Sequence, residues 1–405
     1  MLLDLSIYAP TYLSLTWAFI LLFSSKTNRA RFFLGIFMFV VAMVFMSHVV
    51  YYHHLNNIYI YFDLIFIFGS LSIFPIYYWY IKLLTFRSKI DFKDLKHLIP
   101  AVTILVATII TYLLMSKEMR DLYISKYLYG TGNWNDATPL IKTQLILCYT
   151  LQIVYFTQII FTFLRVRVFI ADYNDNIANF YSNLDNKTLR WPQIILYSFV
   201  ATSTFTIFTN FMGRSFFDKY PFILLFTCIA YSAFLFVLGY LGYLQNHTIV
   251  TFEQDNNILV DSEKKIEIEP ENVIENKNKD AMLAQLKYLF ETEQIYKEKD
   301  LKISDIATKL NTNRTYISTF INNEFSISFN TFVNQYRVEE AKKLLLNESN
   351  NFNTLDNISN HVGFGSLNSF IRVFKEITGT TPGNFRKDET KTINFTSKTG
   401  RHYPY

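Results

Sequence analysis

The sequence predicts an all-α protein in two unlike parts: an N-terminal seven-helix transmembrane bundle and a C-terminal tandem helix-turn-helix domain. Three observations predict it. Seven apolar segments, each near the ~20 residues that cross a bilayer, occupy residues 1–244. A run rich in acid and asparagine follows. Beyond it, apolar residues return at the three-and-four spacing of amphipathic helices, broken by two short turns.

At 405 residues the chain is long enough for two or three units. Residues 1–244 carry 18 Lys+Arg against 11 Asp+Glu, residues 245–280 carry 4 against 9, and residues 281–387 carry 13 against 11. Nucleic-acid binding driven by bulk positive charge is therefore excluded, and any such reading rests on motif. Cys148 and Cys228 both fall in apolar runs and read as small buried hydrophobes, not as a disulfide or a metal pair.

The apolar segments are Leu2–Phe23, Phe32–Val50, Ile58–Leu84, Leu98–Met115, Leu145–Leu164, Trp191–Phe211 and Pro221–Leu244. A soluble helix would show a charged face, yet Phe32–Val50 contains no Asp, Glu, Lys or Arg. Asp4 stands where a signal peptide would be basic, so the first segment is expected to stay as a helix. The first, third and fifth loops hold eleven Lys and Arg: Lys26, Arg29, Arg31, Arg87, Lys89, Lys93, Lys96, Arg165, Arg167, Lys187 and Arg190. The even loops hold five: Lys117, Arg120, Lys126, Arg214 and Lys219. This bias predicts an N-terminus outside and, after seven crossings, a C-terminal part in the cytoplasm. The expected location is the bacterial inner (cytoplasmic) membrane, multi-pass.

Asp63, set into the third segment, is the one acid at such depth and a candidate sensor residue, although bonding to a neighbouring Tyr is the plainer expectation. His53 and His54 are further candidates. As neighbours they cannot both face one site on a helix, and no third metal ligand accompanies them. Metalloprotease, phosphate-loop and serine-hydrolase motifs are absent from the sequence. No catalytic residue, metal or cofactor is expected, and the chain is not expected to be an enzyme. The loop Ser116–Leu140 is read either as a cover over an outer pocket or as a surface segment. The loop Ile170–Arg190 is longer than a connection needs. It is read either as a coupling element touching the C-terminal domain or as an amphipathic helix on the inner membrane surface.

Residues 245–280 read as a flexible acidic linker, spanning on the order of 30 Å as a coil. A helix is predicted over Ala281–Lys297. The first helix-turn-helix, residues 303–323, has a short helix burying Ile303, Ile306, Ala307 and Leu310, a turn at Asn311–Asn313, and a second helix capped by Asn313. That second helix presents Arg314, Thr315, Ser318 and Thr319 near its N-terminus, the end that enters a major groove. The second copy, residues 355–376, repeats the pattern with Ser359 where the first has Ala307, and a turn at Gly363–Gly365. Its open face carries Leu367, Asn368, Ile371 and Arg372. Between the copies, Phe329–Leu346 reads as one helix of ~27 Å. Such a spacer sets two recognition helices near one DNA turn, about 34 Å, apart. Residues 388–405 read as a tail.

Residues 281–387 resemble the DNA-binding domain of AraC/XylS-family transcription regulators. The residues that carry the likeness include Ile306-Ala307, Tyr316-Ile317-Ser318, Tyr336-Arg337, Glu340-Ala341, Val362-Gly363-Phe364, Arg372-Val373-Phe374-Lys375, Thr378-Gly379-Thr380-Thr381-Pro382 and Phe385-Arg386. Asn311 and Ser326 depart from it, standing where the family usually has Gly. The resemblance implies sequence-specific promoter binding, with two helices in adjacent major grooves. By position it puts Thr315, Ser318 and Thr319 in one groove and Leu367, Asn368, Ile371 and Arg372 in the other. Arg372 is the main candidate for a base or phosphate contact, and Arg337 reads as structural. The partners this reading calls for are double-stranded promoter DNA, the lipid bilayer and RNA polymerase. A signal ligand or partner protein and a homodimer are left open. The alternative is a transporter or membrane enzyme with an attached regulatory DNA-binding domain.

Overall fold

A computed structural model describes residues 2–25, 28–85, 90, 92–128, 132–185, 187–188, 190–212, 216–217, 220–244, 276–346 and 354–387. Among these every regular element is helical, and the one β feature is an isolated bridge between Tyr181 and Lys302. The chain divides into two compact units. One comprises Met1–Ala171 and Leu189–Val250; the other comprises Asp172–Thr188 and Thr251–Tyr405. Most of the expected linker, the expected tail, and Lys26, Arg87, Lys89, Arg214 and Lys219 of the loop-charge pattern lie outside the described residues.

The first unit contains α1 (Leu2–Phe23), α2 (Arg29–Tyr52), α3 (Asn56–Thr85), α4 (Ile99–Leu114), α5 (Lys117–Leu122), α6 (Pro139–Ala178), α7 (Arg190–Met212) and α8 (Pro221–Leu244). The last residues of α6 belong to the second unit. Helix α2 packs between α1 and α3, and α1 packs on α8. Gly239 of α8 permits that approach, because a Cβ there would overlap the Trp17 indole. Among the described residues six helical spans are long and apolar enough to cross a membrane: Leu3–Phe23, Arg29–Tyr52, Asn56–Thr85, Phe92–Leu114, Pro139–Ala178 and Pro221–Leu244. The sixth predicted segment lies in α7, a helix of 23 residues that is not among those six.

Large apolar side chains face outward, including Leu113 at 78% and Phe226 at 75% exposure. Inside, a cavity of about 120 Å³ lies among Val41, His48, Tyr155, Phe199, Thr202 and Tyr231. Helix α6 runs 40 residues, about twice the apolar segment predicted there. Neither Gly nor Pro follows Pro139 within it, so the helix continues past the end of its hydrophobicity through Arg165, Arg167 and Asp172. In the loop after α4, Tyr123 and Tyr127 are buried with Tyr112 and Ile141 in one apolar cluster, and Trp134 stays exposed.

The second unit begins with α9 (Asn276–Lys287), which starts inside the stretch expected to be linker. The single helix predicted over Ala281–Lys297 is interrupted. A widened turn covers Tyr288–Thr292, Gln294 adopts a left-handed conformation (φ +52°), and a tight turn follows at Ile295–Lys297. The break turns Ile295 and Tyr296 inward along with Leu289 and Phe290. Then come α10 (Ile303–Lys309), α11 (Arg314–Phe325), α12 (Phe329–Leu346), α13 (Leu355–His361) and α14 (Leu367–Thr378). Phe290 packs on Phe332 and Tyr336, at 4.9 Å between ring centroids in each case. A further cluster gathers Val338, Ala341, Ile358, Val362, Phe370 and Phe374 around the last two helices.

The turn at Gly363 has φ +89°, and a Cβ there would sit 2.6 Å from the Lys297 carbonyl oxygen. Gly363→Ala therefore meets backbone strain and a steric clash together. It is expected to lower the stability of the C-terminal unit by about 1–3 kcal/mol, read from the urea midpoint.

Candidate nucleic-acid interface

The two helix-turn-helix units use the same local bonds. In the first, Leu310 N donates to Ile306 O and Thr312 N to Ala307 O; in the second, Val362 N donates to Ile358 O and Phe364 N to Ser359 O. The small residues Ala307 and Ser359 are both buried under their turns. The left-handed position is Asn311 (φ +50°) in the first turn and Gly363 in the second. Ser326, after α11, is also left-handed at φ +55°. Asn tolerates this conformation through local side-chain bonding, so Asn311 keeps the turn. Both second helices are capped at the N-terminus: Asn313 Oδ1 accepts from Tyr316 N at 2.8 Å, and Ser366 Oγ accepts from Ser369 N at 3.2 Å.

These caps fix where the candidate residues point. Thr315 and Thr319 are exposed on α11, with Arg314 and Ser318 half-buried beside them. On α14, Asn368 is exposed and Arg372 is half-buried, its Nη1 3.2 Å from Glu376 Oε1. Leu367 and Ile371 lean partly onto the apolar cluster beneath them. Helix α12 carries the two units on one rod, with Phe329, Val333, Val338 and Ala341 fully buried along it.

Sequence reasoning missed the residues that bind the segment 172–188 to this unit. Phe180, Tyr181 and Ser182 are buried in it. Ser182 N donates to Leu301 O and Ile303 N donates to Phe180 O, both at 3.0 Å. Arg337, on α12, is 1% exposed. It donates to Tyr296 O at 2.7 Å, Glu298 O at 2.8 Å, Ser182 Oγ at 3.2 Å and Ser182 O at 3.4 Å. Asn330 Nδ2 also donates to Ser182 O at 2.6 Å. Burial lowers the guanidinium to about 10, so it remains charged at neutral pH. Further along, the Asp185 carboxylate accepts from Ser366 Oγ at 2.8 Å and from Ser369 Oγ. The Arg314 guanidinium lies 5.9 Å over the Phe180 ring. The pairs that residues 180–185 make are separated by more than a hundred residues, and the one local clue was the excess length of the loop.

The candidate sensor residues lie in the other unit. Asp63 is 5% exposed and accepts from Tyr59 Oη at 3.2 Å and Tyr112 Oη at 2.6 Å. His53 stacks on Tyr8 with 5.3 Å between ring centroids, and its Nε2 is buried without a partner. His54 has φ +54°. Among the described residues no group of three His, Cys, Asp or Glu is arranged to hold a metal ion.

Residues 306–388 match the family model described as a helix-turn-helix domain. A relative named as an uncharacterized HTH-type transcriptional regulator, YtdP of Bacillus subtilis, is 33% identical over 92 residues, 23% of this chain and 12% of its own length. The Msm operon regulatory protein of Streptococcus mutans is 33% identical over 88 residues, 22% of this chain and 31% of its own. The chain thus covers less than a third of either relative. Among solved structures, the C-terminal domain of the response regulator AraT from Geobacillus stearothermophilus is 26% identical. It covers 26% of this chain and 83% of that one, with a TM-score of 0.23. The C-terminal domain of the response regulator yesN from Fusobacterium nucleatum is 29% identical, over 26% and 98% of the two chains, also at 0.23. The C-terminal part of this chain is a DNA-binding domain of the AraC helix-turn-helix type, and its relatives there are transcription regulators.

Arg337→Met removes the donors that serve Tyr296 O, Glu298 O and Ser182. Leaving such buried acceptors unserved is expected to cost on the order of 3 kcal/mol, measured as a shift in the urea midpoint of the C-terminal unit.

Proposed function

We propose that this protein is a membrane-bound, sequence-specific transcription regulator. Its two helix-turn-helix units read promoter DNA in adjacent major grooves, and its N-terminal bundle anchors and informs them. The observation that carries the DNA reading is the repetition of one turn geometry 52 residues apart, Ala307–Thr312 against Ser359–Phe364. Each copy presents a capped helix with a polar open face, and one rod of 18 residues joins them. Base readout falls to Thr315, Ser318 and Thr319 on α11, and to Asn368 and Arg372 on α14. Arg314 serves the phosphates, and Leu367 and Ile371 offer apolar contact to thymine methyl groups.

The membrane reading is supported by six helices of sufficient length and hydropathy, and by outward apolar side chains that a water-facing surface rarely carries. With α7 as a further crossing, the loop-charge bias leaves the DNA-binding domain in the cytoplasm. Asp63, held by two tyrosines, and the cavity beside His48 give the bundle interior groups able to respond to a signal. RNA polymerase is the expected downstream partner.

Mapping the DNA occupied by the full-length protein in cells tests this reading. The expected result is a shared motif of two half-sites about one helical turn apart. Arg372→Ala is expected to relax one position of that motif and to weaken binding by about 5- to 150-fold, the equivalent of roughly 1–3 kcal/mol. Occupied sites with no shared motif would contradict it.

A further inference from the structure

We propose that the stretch Phe180–Asp185 is an internal latch that competes with DNA for the N-terminal ends of both recognition helices. The inference rests on the DNA-binding reading above and adds a mode of control to it. Six consecutive residues reach both helices. At one end, Phe180 lies under the Arg314 guanidinium at the start of α11. At the other, Asp185 accepts hydrogen bonds from Ser366, the cap of α14, and from Ser369 in its first turn. Between them, Ser182 is bonded by Arg337 and Asn330, and the backbone pairs with Leu301 and Ile303.

The chemistry at each end is that of a nucleic-acid backbone contact. A helix N-terminus and short hydroxyl side chains are phosphate-binding groups, and a carboxylate is an anion of the same sign as phosphate. Asp185 therefore takes the donors that a phosphate would use. While it stays there, its charge repels a backbone approaching α14. Phe180 likewise engages the cation at the start of α11. Asn183 and Leu184 line a narrow cleft with Ser369 and Arg372, which brings the latch against the face that bears the main readout residue. A Cβ at Gly365, in the turn before α14, would overlap the Asn183 side chain.

In sequence the latch follows directly on α6, a 40-residue helix whose apolar part lies in the N-terminal bundle. It is also tied to the bundle on its other side, through α7. A signal that shifts α6 or α7 thus has a covalent route to the latch, independent of the acidic stretch before α9. The latch leaves when that shift, or DNA itself, outcompetes its bonds.

The test uses the full-length protein in lipid nanodiscs and a pool of random-sequence duplexes. Asp185→Asn keeps the size of the side chain and removes the competing charge, and it is expected to raise retained DNA by about tenfold. A second variant, Asn183→Cys with Gly365→Cys, closes the latch as a disulfide. Its oxidised form is expected to retain about tenfold less DNA than its reduced form, with recovery on adding reductant. Equal retention by oxidised and reduced forms, or weaker binding by Asp185→Asn, would overturn the latch while leaving the DNA-binding reading intact. If parent, Asp185→Asn and reduced double-cysteine protein all fail to retain DNA, the DNA-binding reading falls, and the latch with it.

Discussion

The burial of Arg337, and the hydrogen bonds its guanidinium must then make, is the constraint on which the C-terminal unit depends. A guanidinium taken from water is costly unless its donors are filled. Here they are filled by Tyr296 O and Glu298 O, from the turn ahead of the first helix-turn-helix, and by Ser182 from a loop far away in sequence. The same guanidinium lies 5.6 Å over the Phe364 ring, in the turn of the second helix-turn-helix. One side chain on the central rod therefore ties together the approach to the first reading unit, the turn of the second, and the loop between α6 and α7. Remove it and each of these loses a shared anchor.

On the proposed reading, this arrangement lets a modestly charged domain read DNA. The C-terminal unit lacks the strong positive field that brings most such domains to nucleic acid. The proposed contacts would rest on two capped helix ends and a few polar side chains joined by α12. Such a surface is easily masked, because few groups carry the binding. Asp185 and Phe180 reach those helix ends within one short stretch of chain, which is the ground of the proposed latch.

Much of this was legible in the sequence. The limits of α12 follow from its apolar spacing, and those of α10, α11, α13 and α14 fall within two or three residues of the predicted ones. Caps and turns at Asn313, Asn311 and Gly363 are local chemistry, visible in a few residues. Less legible was whatever depends on distant pairing. The extent of α6 was underestimated because hydrophobicity marks the apolar stretch and not the helix, which continues through charged and polar residues with no Gly or Pro to stop it. The break at Gln294 answers to the demand that Ile295 and Tyr296 join a core built largely by α12. The role of Ser182 and Asp185 could not be read from composition, since a serine and an aspartate in a polar loop look the same whether they face water or, as here, a buried arginine and a pair of serine hydroxyls. For Asp63, the sequence marked the position and a bond to a neighbouring Tyr, which Tyr59 supplies one turn away on α3; only Tyr112 became evident once α4 was packed on α3.

Hydroxyl-radical footprinting of one duplex bound by the full-length protein tests the central claim most directly, that two helices on one rod read DNA together. The prediction is two protected windows on one face of the duplex, centred about 10 base pairs apart, with Arg372→Ala opening only the window read by α14. A single protected window, or two that both persist in Arg372→Ala, would contradict it.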